Sequence, residues 1–180
     1  MAPAPQGGAL FLLSGPGAQW RVAQQSDQLR PMALESVTVP AAHNRGESVE
    51  VLLAQFTTGT ASELRWQVGP GTDLAGRFRL ADGADARSLG AHDEGDAFAF
   101  YAGVRPTGIL RGEWDPDGAT IIWAPEPELV VAGEGLDQKV TGFDSCGGSV
   151  WATVRTSLYR RTNGPLPAGS ARWAEVFRDD

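Results

Sequence analysis

The stretch GFDSCGGSVWATVRTSLYRRTNGPLPAGSARWAEVF, Gly142 to Phe177, decides how this chain folds. It reads as four short strands joined by turns. A polar turn around Asp144 to Gly148 leads into the apolar run VWATV, a Leu-led strand starts at Leu158, and a strand carrying Trp173 closes the unit. Asn163-Gly164 has hairpin chemistry, because both residues reach positive φ at little cost. The strands on its two sides are therefore expected to be antiparallel neighbours.

The same shape recurs upstream. Leu10 to Gly17 is followed by Trp20, Leu64 to Gly71 by Phe78, and Leu110 to Gly118 by Trp123. The turn glycines step by 54, 47 and 46 residues and the leading leucines by 54, 46 and 48. A second shared unit precedes three of these hairpins: a strand, a polar turn with Gly, and an apolar strand. Its copies are Val37 to Gly46 before VEVLLAQF, Ser88 to Gly95 before FAFYAGV, and Val140 to Gly147 before VWATV. The apolar strands hardly alternate, as expected of strands covered on both faces.

Joined, the two units predict three four-stranded antiparallel blades, at about 33–80, 85–124 and 138–177, with a two-stranded half at 9–23. The period is that of β-propeller blades, ~40–50 residues. The expected fold is therefore all-β, propeller-type, with about three and a half blades. That number does not close a ring and leaves two bare sheet edges, which are expected to be covered by further blades or another subunit.

Composition agrees with the pattern. The chain has 180 residues, 42% of them hydrophobic and 21% charged, enough apolar material for a core. Twenty-three glycines and twelve prolines would interrupt helices repeatedly and sit easily in turns. A formal charge of -7 with scattered basic residues argues against a nucleic-acid partner. The apolar run near the start is too short and too neutral for a signal peptide or membrane span. Cys146 is the only cysteine, which leaves no intrachain disulfide and reads as a small turn residue.

Leu158 to Gly164 with Arg172-Trp173 resembles the Asp-box (BNR) repeat of sialidase-like β-propellers. Ser14 to Trp20 looks like the same box without its Asp, and Asp115-Pro116-Asp117-Gly118 with Trp123 is similar with a longer spacing. The resemblance implies that the box is a structural turn away from the ligand face. Trp20, Trp123 and Trp173 are then packing residues, and Trp66, Trp114 and Trp151 read the same way. Aromatics at matching places in successive sheets fill the space between them.

Chemistry is sparse in this reading. His43 and His92 occupy equivalent turns, where Asp144 is the third counterpart, but turns on separate blades are expected to lie apart, and no pair has metal-ligand spacing. Neither Asp93-Glu94-Gly95-Asp96 nor Asp115 to Gly118 continues into a calcium loop. No catalytic residue, metal or cofactor is assigned. The resemblance places any ligand site on the loops around 26–32, 57–62, 81–84, 105–108, 125–136 and 155–156. Asp27, Arg30, Thr58, Arg105, Glu126 and Glu128 are the polar candidates there.

The function expected is a non-catalytic recognition or scaffold segment for a protein or glycan. The alternatives are a sialidase-like, glycoside-cleaving enzyme with its catalytic groups mostly outside this chain, and a purely assembling repeat protein.

Overall fold

The computed structural model describes residues 8–12, 21–26, 30–57, 61–70, 73–106, 108–125, 128, 139–162 and 172–179. Its regular structure is β throughout apart from one 3-10 turn, Ala41–His43. The first sheet joins β1 (Gly8–Leu12) and β2 (Arg21–Ser26). Three four-stranded antiparallel sheets follow, each in chain order. One consists of β3 (Arg30–Val39), β4 (Val49–Thr57), β5 (Ser62–Val68) and β6 (Gly76–Arg79). The next has β7 (Asp85–Asp93), β8 (Phe98–Arg105), β9 (Gly108–Asp115) and β10 (Thr120–Trp123). The last has β11 (Val140–Cys146), β12 (Ser149–Val154), β13 (Ser157–Arg161) and β14 (Trp173–Arg178). The expectation of an all-β chain in four-stranded antiparallel units is met.

Two local features recur in all three sheets. The turn between the first two strands holds glycine at positive φ: Gly46 at 88°, Gly95 at 92°, and Gly147 and Gly148 at 60° and 71°. The pairing of those strands also slips at one matching place, between Pro31 and Ala33, Ala86 and Ser88, and Val140 and Gly142. Each slip leaves one residue over, Met32, Arg87 and Thr141, and all three are exposed. A bulge of this kind bends its strand and raises the local twist.

The sheets stack through their faces. β8 is the pivot, because its side chains point alternately into two cores. Phe98, Phe100, Ala102 and Val104 join Val51, Leu53, Leu64, Trp66 and Trp123 between the first and second four-stranded sheets. Ala99 and Tyr101 join Val140, Val150, Ala152, Tyr159 and Trp173 between the second and third. Burying one such Phe or Val contributes about 1.5–3 kcal/mol, so each run of strand side chains is a substantial driving force. β4 is likewise apolar on both sides, with Leu52, Ala54, Phe56 and Leu74 forming a smaller cluster on its other face.

The third sheet differs. In β12 only Val150, Ala152 and Val154 are buried, whereas Thr153 is exposed and Trp151 half-buried beneath the Arg160 guanidinium, 5.9 Å from the ring centre. The packing role read for Trp151 therefore fails on the described residues, while Trp66, Trp114, Trp123 and Trp173 are all buried as expected. Phe177 and Val176 of β14 are 60% and 53% exposed. The three sheets do not close on themselves among the described residues. Trp20 and the Asn163-Gly164 turn lie outside those residues.

The hairpin at Asp115 to Thr120 also departs from its expected form. The residue with positive φ is Ala119, at 46°, rather than Gly118. Asp115 Oδ1 accepts the Asp117 N–H at 2.9 Å, an Asx turn that tightens the corner, and a Cβ on Gly118 would lie 2.7 Å from Asp115 Oδ2. A side chain at 118 would therefore have to displace the Asp115 carboxylate.

Candidate functional site

The first strands of the three sheets run side by side in the same direction. Near their starts, Gln55, the partner of Ala33, donates to Asp85 Oδ1 at 3.3 Å, and Ser88 Oγ to the Val140 carbonyl at 3.3 Å. At their far ends the His43 ring meets Asp93, with 2.8 Å between Nε2 and Oδ1. Neighbouring turns therefore touch where the sequence reading held them apart. The contact is a polar clasp: Asp93 also takes the Gly95 N–H at 2.8 Å, which with the His43 bond holds its carboxyl below the usual range despite some desolvation. No group of three or more metal-ligating side chains occurs among the described residues.

Because the starts coincide, the chain segments at that end converge. Arg30 opens β3, Arg105 ends β8, and Arg155 follows β12; all three are exposed. The bulge residue Arg87 lies at the same end and donates to Asp85 Oδ2 at 2.6 Å. Of the loop candidates, Arg30 and Arg105 are thus at one end of adjacent sheets. Asp27, Thr58 and Glu126 lie outside the described residues.

Glu128 has a different job. It bridges to Ile109 through two backbone hydrogen bonds, and its carboxylate accepts from Arg161 at 2.8 and 3.1 Å and from Trp173 Nε1 at 2.8 Å. Arg161 also donates to Glu94 Oε1 at 2.5 Å, and Arg111 to Glu94 Oε2 at 2.5 Å, while the Tyr101 hydroxyl donates to the same carboxylate. The guanidinium of Arg161 sits 5.7 Å over the Tyr101 ring. Burial works against the charge on Glu94, but the hydrogen bonds from Arg111 and Tyr101 and the charge of Arg161 win, and its carboxyl is held below the ordinary range. Burial, followed by the Glu94 bond, drives the Tyr101 phenol well up despite the nearby arginines. A tyrosine so stabilised in its neutral form is poorly suited to be a nucleophile. This constellation joins two sheets, and sequence reasoning missed it.

A separate small cavity, of about 120 Å³, opens where the three first strands meet. Glu35 of β3, Gly90 of β7, and Phe143, Asp144 and Ser145 of β11 line it, with Tyr101 behind them. Glu35 is half-buried, and no described residue hydrogen-bonds or ion-pairs with its carboxyl. Burial pushes its pKa up. Asp144 Oδ1 takes the Ser145 N–H at 2.7 Å.

Comparison with protein-family models, with curated proteins and with solved structures found no match for this chain. No helix among the described residues is long and apolar enough to cross a membrane.

Proposed function

We propose that the chain is a propeller-type recognition scaffold, three blades and a half-blade, presenting the loops at one end to a glycan or protein ligand. The observation that carries this reading is the parallel run of the three first strands, which brings Arg30, Arg105 and Arg155 to one end of the stack. Loops held by a rigid framework are suited to binding. The matching place of the three bulges supports a repeated blade, and the Asp-box likeness of the hairpins fits the same architecture. The candidate chemistry in view is recognition: the best-formed charge cluster is buried between sheets and engaged with itself. In this architecture the outer face of the third sheet, with Trp151 and Phe177, takes a further sheet.

A glycan array probed with this chain, and repeated with Arg30→Ala/Arg105→Ala, tests the reading. Saturable binding of one glycan class that the double variant loses supports it. Hydrolysis of the array glycans by this chain favours the glycoside-cleaving alternative, and binding indifferent to both arginines overturns the assignment of the loop end.

A further inference from the structure

We propose that the cavity between the three first strands is a binding site for a primary alkylammonium group, the head of a lysine side chain or a small free amine. It lies on the strands rather than the loops and goes beyond the recognition reading above. The volume, about 120 Å³, equals that of roughly four water molecules, which suits an ammonium on a few methylenes.

Three features select a cation. Glu35 faces the cavity half-buried with no hydrogen-bonding or ion-pairing partner among the described residues, so an incoming ammonium supplies the missing counter-charge and three donors. Asp144, from a different sheet, provides a second carboxylate. The wall between them carries the partly buried Phe143 ring, which packs 5.9 Å from the fully buried Tyr101 ring and is an aromatic surface of the kind that attracts cations. Two carboxylates and a chain of net charge -7 repel an anion from the same space. Gly90 makes the cavity possible. A Cβ there would lie 2.7 Å from Phe143 Cβ, so only glycine lets the ring settle against β7.

The site is tested by following amide resonances in a titration with n-butylammonium chloride at constant ionic strength. The neutral n-butanol serves as one comparison and a short peptide with a single lysine as another. The expected result is saturable shifts at Gly90, Ala91 and Phe143 with the ammonium and none with the alcohol. Glu35→Gln should weaken binding by about tenfold or more, the scale of one lost charged hydrogen bond. Asp144→Asn, at an exposed position whose change leaves the core alone, should weaken it by a smaller factor. Tighter binding of the peptide than of the free amine assigns the site to a lysine-bearing partner, and the reverse assigns it to a small amine. Equal response to butanol, absence of saturable shifts in the folded chain, or a dissociation constant untouched by both substitutions overturns the proposal. The glycan experiment reads the loop end, so either result stands without the other.

Discussion

Arg161 at the end of β13 reaches across the inter-sheet space to Glu94 in the turn before β8, and the two side chains are only 5% and 6% exposed. A buried carboxylate between two arginines is costly to desolvate and costly to break. The arrangement is therefore a geometric lock: the third sheet can approach the second only in the position that brings Arg161 to Glu94 and Trp173 to Glu128. The clasp of His43 on Asp93, together with Trp114 Nε1 donating to Asn44 Oδ1 at 3.2 Å, performs the equivalent task between the first and second.

Acid should weaken this lock before it weakens the hydrocarbon cores. The folded chain holds the Glu94 carboxyl below its ordinary value of 4.5, so it binds that proton less readily than the unfolded chain does. The contribution is fully present above about pH 4.5 and is lost as pH falls through the lower, folded value. Glu94→Ala removes the carboxylate that Arg111 and Arg161 share, but Arg111 keeps Glu113 and Arg161 keeps Glu128, so the cost should fall below the roughly 3–5 kcal/mol of a buried charge left without any partner. Urea unfolding from pH 2 to 6 checks both points: the variant should be less stable at pH 6 and show a smaller decline toward pH 2 than the parent.

Two tryptophans at comparable burial separate hydrogen bonding from packing. Trp173 is 3% exposed and donates to Glu128, whereas Trp123 is 7% exposed and its Nε1 has no hydrogen-bond partner. Both lose apolar contact on replacement by Phe, but only Trp173→Phe also removes a hydrogen bond to a charged group. It should cost about 1.5–3 kcal/mol more than Trp123→Phe. Chemical-denaturation midpoints of the two variants give the difference directly, and equal losses would show that the Glu128 bond contributes nothing net.

What the sequence showed of this fold was what is local. A Gly-bearing turn and the two strands beside it lie within a short stretch, so their chemistry alone gives the antiparallel hairpins and the four-stranded units. The unalternating FAFYAGV likewise announced β8 as covered on both faces. The inter-sheet lock was illegible because Glu94, Tyr101, Arg111, Glu128 and Arg161 come from five separate elements, and each is an ordinary strand or loop residue by itself. Glu128 was read as a loop ligand for that reason. The bulges escaped because Met32, Arg87 and Thr141 share no side-chain type, only a place in the pairing. Glu35 gave no signal either, since its half-burial depends on where β7 and β11 come to rest.

Glycine substitution offers the strictest test of how closely the sheets approach. A Cβ on Gly103 would lie 2.6 Å from Val140 Cβ and 2.3 Å from Ser88 Oγ, and the first contact is between two sheets with no flexible end to yield. One on Gly76 would lie 2.1 Å from the Trp66 indole, which rests flat over that position on the neighbouring strand. Overpacking of this sort costs about 1–3 kcal/mol. Gly46 is the contrasting case: it has φ of 88° with nothing within 4 Å, so Gly46→Ala meets backbone strain alone. Gly103→Ala should therefore lower stability and also perturb amide resonances in both β8 and β11, whereas Gly46→Ala should confine its effect to its own turn. If Gly103→Ala leaves β11 unshifted, the second and third sheets do not meet at this contact.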